Sequence, residues 1–346
     1  MTTPNSTLFT EYVRIPENSS VLCLNVDDTA YLREIAGTAA RIDIFHRDGL
    51  MVQSLERRLR RHKNCKVHDT VFPSEDSVFD VALVEIPKGR DFAKALIATS
   101  LKALKPGNYL YGAGPNKGGA KTAETDSKSL SQVYSLGTKQ RHRLFSVMRP
   151  DMIPSEWLDL AMPHPQNMEI HGQTYSVHTQ PGVFSYNHLD DGTSSLLDAL
   201  HKIQPKGITR VLDAGCGYGI VGMVAQQLFD PVRVIFVDTN LLAVQCTKAN
   251  VSEAPVLMAD VTQDMLEAYA PFDLILCNPP FHKGVTVERT FMQGFAENGA
   301  QLLSKQGQVL VVFNAFLPYE DVLKEHFATV TRVIESNTFT VVSAQR

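Results

Sequence analysis

The chain repeats itself, and that repeat constrains the fold more than any single motif. Phe79-Asp80-Val81-Ala82-Leu83-Val84-Glu85-Ile86-Pro87 lies 193 positions before Phe272-Asp273-Leu274-Ile275-Leu276-Cys277-Asn278-Pro279-Pro280. Lys105-Pro106-Gly107-Asn108-Tyr109-Leu110 lies 200 positions before Lys305-Gln306-Gly307-Gln308-Val309-Leu310. Val21-Leu22 opens the first half as Val211-Leu212 opens the second. A period this long means duplicated domains, not a solenoid. A length of 346 residues also calls for two domains. Pro150, Pro154, Pro163 and Pro165 punctuate the join, which places the domains at 1–165 and 166–346.

Each half alternates strands with helices, which predicts a mostly parallel α/β sheet in each. In the first half the runs 20–24 and 41–45 read as strands with a helix over 29–40 between them. A polar helix follows over 54–63, then a buried strand over 78–86, a helix over 92–104 and a strand from Tyr109. Gly112 to Gly119 resembles a phosphate loop but lacks its Gly-Lys-Ser/Thr ending, and reads as a flexible loop. The second half opens on a hairpin around Gly172, with a helix over about 192–203. Its strands are expected at 209–214, 232–237, 256–259, 272–277 and 308–313, with helices over 220–228 and 288–303. Phe291 and Phe295 lie on one face of the later helix and read as core. The runs 329–335 and 338–343 are separated only by Ser336-Asn337. They should pair antiparallel, since a parallel pair needs a long crossover.

The chemistry concentrates at strand ends. Ligands bind beyond the carboxyl ends of strands in open parallel sheets. After the run Phe272 to Cys277 stand Asn278, Pro279, Pro280 and Phe281. Proline locks φ and holds the residue before it extended. Asn278 and Pro279 can therefore converge their acceptor oxygens on one point. The group they suit is an exocyclic NH2, with Phe281 stacked on the ring that carries it. The bland alternative is a proline-rich turn after a core strand. A second constellation follows strand 209–214, where Asp213 precedes Gly215-Cys216-Gly217-Tyr218-Gly219. Glycines let the backbone approach a ligand closely. The G-x-G-x-G spacing is not the dehydrogenase G-x-G-x-x-G. Asp238 ends the next strand, where an acid can grip ribose hydroxyls. Asp260-Val261 ends the third, suited to an adenine edge. Each acid alone could be a turn or cap residue; three at successive strand ends point to a nucleoside site. The first copy has Asn25, Asp27 and Thr29 in place of Gly215, Gly217 and Gly219, and Glu85 in place of Asn278. It keeps the fold and lacks the site.

Bulk properties exclude several classes. No apolar run reaches the length of a bilayer span, and the polar start has no signal-peptide core. Five cysteines, odd in number and without C-x-x-C spacing, argue for reduced thiols in a cytoplasm and against zinc or a disulfide frame. The net charge of −4 hides an asymmetry: 22 basic against 19 acidic residues over 1–165, and 11 against 18 over 166–346. The halves carry +3 and −7. The basic excess includes Arg57, Arg58, Arg60, Arg61, Lys63 and Lys66, either a solvated helix face or a phosphate-contacting stripe. Lys139, Arg141, Arg143 and Arg149 form a second basic group.

V-L-D-A-G-C-G, the acid after the second strand and N-P-P-F together resemble S-adenosylmethionine-dependent amino-methyltransferases. With the P-G-V-F-S lead-in, N-P-P-F-H, N-A-F-L-P-Y and the degenerate first copy, the chain resembles the bacterial rRNA small subunit methyltransferase C family. The resemblance implies two tandem Rossmann-like methyltransferase domains, the first degenerate. It implies transfer of a methyl group from S-adenosylmethionine to the N2 amine of a guanine in 16S rRNA, within the small subunit or its precursor. By the same resemblance Asp213, Gly215, Cys216 and Gly217 would hold the methionine end of the cofactor. Asp238 would bind its ribose, and Asp260 with Val261 its adenine. Asn278 would border the cofactor and, with Pro279, take the target amine. Phe281 would stack on the base, with Phe184, His282 and Phe316 beside it, although His282 also reads as a surface residue. A monomer that needs no metal and no membrane is expected. Three alternatives stay open: a guanine in 23S rRNA, since a related family shares N-P-P-F-H; adenine-N6 or protein-glutamine methylation, which N-P-P-[F/Y] also serves; and a non-catalytic RNA-binding protein with a vestigial cofactor site.

Overall fold

The computed structural model describes residues 3–280 and 285–346. They form two compact units, Met1–Pro163 with Gln180–Gly182, and His164–Thr179 with Val183–Arg346. The first contains α1 (Pro4–Tyr12), β1 (Ser20–Leu24), α2 (Thr29–Ala36), β2 (Arg41–Phe45), α3 (Gly49–Leu59) and β3 (Cys65–Val67). It continues with β4 (Phe79–Glu85), α4 (Arg90–Lys102), β5 (Leu104–Pro115), α5 (Ala120–Ser127), β6 (Val133–Lys139), β7 (His142–Met148) and the short α6 (Ser155–Leu158). The second contains β8 (His164–Ile170), β9 (Gln173–Thr179), α7 (Asp191–Ile203), β10 (Arg210–Ala214), α8 (Ile220–Leu228), β11 (Arg233–Asp238) and α9 (Leu241–Asn250). It ends with β12 (Val256–Met258), β13 (Phe272–Cys277), α10 (Val285–Leu302), β14 (Leu303–Asn314), α11 (Tyr319–Lys324), β15 (Thr329–Glu335) and β16 (Phe339–Gln345). Among the described residues no helix is long and apolar enough to cross a membrane.

The two main sheets have the same strand order, β3-β2-β1-β4-β5-β7-β6 and β12-β11-β10-β13-β14-β16-β15. The first five strands of each pair in parallel, and the sixth in order, β7 or β16, is antiparallel to both its neighbours. Helices cover parallel sheets on both faces, so their central strands read as continuous apolar runs. Val21 to Leu24 and Leu274 to Cys277 accordingly lie at 0–1% exposure. The repeated Phe-Asp pair also has a physical reason. Phe79 and Phe272 are core residues. Asp80 Oδ2 accepts from Ser20 N at 2.8 Å, and Asp273 Oδ2 from Thr209 N at 3.0 Å. Each aspartate thus ties down the start of the neighbouring central strand.

The repeat reaches further than the sequence suggested. Helix α1 packs on β5, β6 and β7 as α7 packs on β14, β15 and β16. Thr3 Oγ1 accepts from Ser6 N at 3.1 Å, and Asp190 Oδ2 from Thr193 N at 2.9 Å, so both helices are capped at matching places. Asn25 keeps the left-handed φ of 62° that Gly215 has at 78°, and each donates its N–H to the end of the next strand at 2.8 Å. Asparagine tolerates that region better than other side chains.

Several element limits differ from expectation. The polar helix begins at Gly49, because Asp48 caps it through Leu50 N at 2.9 Å, and it stops at Leu59. Gly112 to Gly119 is no flexible loop: β5 runs to Pro115, and α5 starts after Gly119. Its glycines serve packing, since a Cβ on Gly112 would sit 2.6 Å from the Phe145 ring. The hairpin strands are longer than read, around His171 and Gly172 at φ 49° and 78°, which suits a two-residue turn. Strands β15 and β16 pair antiparallel across residues 336–338.

In the first unit Glu85, at the end of β4, accepts from Asn5 Nδ2 at 2.6 Å. Burial, helped by the charges of Asp27 and Asp28, pushes its carboxyl up to about 8. The folded unit therefore holds this proton more tightly than the unfolded chain, whose glutamate titrates near 4.5. Folding stability should fall as pH rises from about 4.5 to about 8. Glu85→Gln removes that term and keeps the acceptor for Asn5. In thermal unfolding the variant should melt several degrees above the parent at pH 8.5, with the gap closing toward pH 4.5. A gap that does not change with pH would contradict the assignment.

Candidate cofactor and amine site

The site lies where the strand order of the second sheet reverses, at the carboxyl ends of β10 and β13. Open α/β sheets bind ligands at that switch point. Strand β10 ends at Ala214, paired with Val237 on one side and Cys277 on the other. The chain then turns through Gly215 and Gly217 at φ 78° and 59°. A Cβ at Gly217 would meet nothing within 4 Å, and one at Gly215 only the Asn278 carbonyl at 3.9 Å. These two glycines are needed for conformation and leave an open backbone face, which suits a closely approaching ligand.

The loop is held from behind. Gly215 N and Cys216 N donate to Val237 O at 2.8 and 2.9 Å. Gly217 N donates to Asp238 Oδ2 at 2.9 Å, and Thr247 Oγ1 donates to Gly217 O at 2.9 Å. Asp238 Oδ1 also accepts from Asn240 N at 2.8 Å, ahead of α9. Cys216 is buried, its Sγ 3.5 Å from Thr247 Oγ1. The five cysteines are all free thiols, four of them buried.

Asp213 stands away from the open face. It is 2% exposed, and its Oδ2 accepts from Gly222 N in the first turn of α8 at 2.8 Å. Burial and the nearby Asp238 charge push its carboxyl up to about 7, against the pull of the Gly222 bond. Its geometry is that of a residue that fixes α8, and with it the loop, from below. Asp260 follows β12 and takes Thr262 N at 2.9 Å and Thr262 Oγ1 at 2.7 Å on Oδ1. Val261 is a core residue at 7% exposure.

Asn278 is half-buried beside the loop. Its Nδ2 donates to Asp190 Oδ2 at 3.1 Å and to Thr193 Oγ1 at 2.9 Å. Its Oδ1 is buried and has no hydrogen-bond partner among the described residues. Buried acceptors are normally satisfied, so an orphan of this kind at a strand end calls for an explanation. Pro279 is buried and Pro280 exposed. Phe281 and His282 lie outside the described residues. Phe184 and Phe316 are 48% and 80% exposed, aromatic surface that no core claims. Phe291 and Phe295 stack with centroids 6.0 Å apart, and Phe295 belongs to the core. Among the described residues no cluster of three or more His, Cys, Asp or Glu is placed to hold a metal.

Two features escaped the sequence reading. Asp190 and Thr193 touch Asn278 across 88 and 85 positions. The signal was present in principle, since an aspartate ahead of an amphipathic run marks a helix cap. The second basic group is not a free patch. Arg143 is paired with Glu124 and Asn116, and Lys139 with Glu11. By contrast Arg57, Arg58, Arg60, Arg61, Lys63 and Lys66 are all exposed, while Val52, Leu55 and Leu59 of α3 face the core.

Fold and site together define a methyltransferase of the S-adenosylmethionine-binding α/β type. The family model "Methyltransferase small domain" matches residues 174–343, and "Methyltransferase small domain N-terminal" matches 13–149. A Ribosomal RNA small subunit methyltransferase C from Stutzerimonas stutzeri is 30% identical over 271 residues, 78% of this chain and 80% of that one. One from Pseudoalteromonas atlantica is 28% identical over 319 residues, 90% of this chain and 89% of that one. A T. thermophilus 16S rRNA N2 methyltransferase, solved with AdoMet and guanosine, superposes with a TM-score of 0.81 at 23% identity, over 99% of this chain and 92% of that one. The chain belongs to the ribosomal RNA small subunit methyltransferase C family.

The loop support yields a direct test. A Cβ on Gly222 would lie 2.2 Å from the Phe236 ring and 2.9 Å from Asp213 Oδ2. Gly222→Ala overpacks the core beneath the loop, at a cost of roughly 1–3 kcal/mol. Chemical denaturation should show that loss, and a variant as stable as the parent would mean that the space beneath α8 is not tight.

Proposed function

We propose that the protein transfers a methyl group from S-adenosylmethionine to the N2 amine of a guanine in 16S rRNA. It acts as a monomer, without a metal, on the small subunit or its precursor in the cytoplasm. The observation that carries this reading is the buried Oδ1 of Asn278, without a hydrogen-bond partner among the described residues, on a residue whose backbone carbonyl borders the glycine loop. An amide oxygen there accepts from an exocyclic amine. Family membership and the names of the relatives supply the RNA. The cofactor fits the residues present: Gly215 and Gly217 offer an open backbone face, with Asp238 and Asp260 at the next two strand ends.

The bound cofactor supplies a methyl group already activated on a sulfonium, so the protein's part is position and electrostatics. Asp213 and Thr247 keep the glycine loop in place. Asp238 would meet the ribose and Asp260, with Val261, the adenine side. Asn278 Oδ1 and Pro279 accept the two N–H groups of the guanine amine. Those bonds draw the nitrogen out of conjugation with the ring and turn its lone pair toward the methyl carbon. Phe281, Phe184 and Phe316 offer flat surfaces to a base that has left its stack, with His282 at the same rim. The methylated nitrogen, with four bonds, is strongly acidic and gives its proton to water.

Labelled methyl from the cofactor should enter the small subunit, its precursor or 16S rRNA, and appear as N2-methylguanine after digestion. Asn278→Ala should lower the rate at least tenfold with cofactor affinity retained. Label confined to 23S rRNA, DNA or protein would overturn the reading, and so would an undiminished rate in Asn278→Ala.

The first unit grips RNA through α3. Its Arg57, Arg58, Arg60 and Arg61 are exposed and clustered, whereas the catalytic half carries −7 and repels phosphate. Reversing all four to Glu should weaken rRNA binding and leave cofactor affinity unchanged. The salt dependence should flatten by about 0.9 in log–log slope for each duplex phosphate that the protein no longer neutralises. Filter binding across a salt series decides this, and equal affinity and slope would leave the stripe as a solvated helix end.

A further inference from the structure

We propose that α7 sets the amide of Asn278, with Asp190 and Thr193 as positioning residues and Gly192 as the residue that keeps its oxygen open to the amine. The proposal rests on the reading that Asn278 receives the guanine amine.

An asparagine amide has two nearly isosteric ends, and only its hydrogen bonds decide which faces a ligand. If the NH2 end of Asn278 faced the guanine amine, donor would meet donor and no bond would form. The cap of α7 prevents that. Asp190 Oδ2 accepts from Asn278 Nδ2 at 3.1 Å and from Thr193 N at 2.9 Å. An ionised carboxylate only accepts, so it can hold the NH2 end and not the oxygen. Thr193 Oγ1 accepts from the same Nδ2 at 2.9 Å, and lies 3.4 Å from Asp190 Oδ2 as a donor. Three side chains close a ring, and Asn278 Oδ1 is what the ring leaves over.

Gly192 is the second residue of α7. A Cβ there would lie 3.5 Å from Asn278 Oδ1, 3.0 Å from Asp190 Oδ2 and 3.3 Å from the Phe339 ring. The first unit shows what a side chain does at this place. The second residue of α1 is Asn5, and its Nδ2 donates to Glu85, which stands where Asn278 stands in the repeat. One oxygen of the strand-end acceptor of the first unit is thus taken by its own helix, while Glu85 Oε1 is buried without a partner among the described residues. In the second unit the glycine brings no side-chain donor to Asn278 Oδ1.

The test uses the full chain with small subunits and labelled cofactor. It records kcat, KM for the subunit, cofactor affinity by calorimetry and the thermal midpoint. Asp190→Asn keeps a good helix cap but can present NH2 to Asn278 and let it turn over. Its kcat should fall about 10- to 100-fold, the factor expected for one charge-assisted bond, with cofactor affinity unchanged. Thr193→Val should lose kcat and Thr193→Ser should regain it, at matched thermal midpoints. Gly192→Asn should lose kcat as well, by donating to Asn278 Oδ1. If Asn278→Ala is inactive while these variants turn over at the parental rate, the amine reading stands and the proposal falls. If Asn278→Ala is active, the amine reading itself falls. Should Asp190→Asn or Gly192→Asn prove unstable, the Thr193→Val and Thr193→Ser pair decides: equal rates overturn the proposal.

Discussion

Everything at the candidate site of the second unit depends on the pairing of β10 with β13. Ala214 and Cys277 are partners in that parallel ladder, so the chain segments leaving them emerge side by side. One segment turns through the glycines, and the other enters Asn278-Pro279-Pro280. The Asn278 carbonyl lies 3.9 Å from where a Gly215 Cβ would be. A one-residue slip would turn each inward side chain to the other face of the sheet and separate the acceptor from the loop. The buried ladder therefore fixes the distance between the two halves of the chemistry before any site residue is considered.

The fold was legible in the sequence because it is written twice. The repeated Phe-Asp run and the repeated stop near Gly107 and Gly307 pointed to both sheets, and the short join Ser336-Asn337 to the antiparallel ending. Element limits were less legible where capping decides them. Asp48 starts α3 five residues before the polar run suggested, through one carboxylate-to-backbone bond. The glycines of 112–119 looked like a mobile loop, yet Gly112 is small so that Phe145 can lie on the strand. Composition cannot separate a glycine that permits motion from one that permits contact.

Legibility of the site follows the same division. Residues whose backbone does the work, such as Gly215 and Gly217, announce themselves by type and spacing. Residues that act through a distant partner do not. Thr193 looks like any helix-start threonine until the fold brings it to Asn278. Asp213 differs again: its place in the motif suggests contact with a ligand, and the fold also bonds one of its carboxylate oxygens to Gly222 N. A motif gives the position of an acid along the chain and not the direction in which it points.

The two units show how one scaffold can carry different side chains at the same place. Both hold a capped helix against the end of the fourth strand of the sheet. In the second, the helix holds the donor end of Asn278 and leaves an acceptor over. In the first, the polarity is reversed: Asn5 on the helix donates, and Glu85 on the strand accepts. Burial among Asp27 and Asp28 raises the Glu85 carboxyl to about 8, so it is mostly neutral at pH 7. A neutral acid bonded within its own unit costs less to bury than an ion. The first unit can therefore bury Glu85 at this strand end without placing a charge in its core. Its Asn25 still makes the turn of Gly215, so the backbone there has kept its shape. The two units thus differ in a small set of side chains at the end of the fourth strand, while the strand order is the same in both.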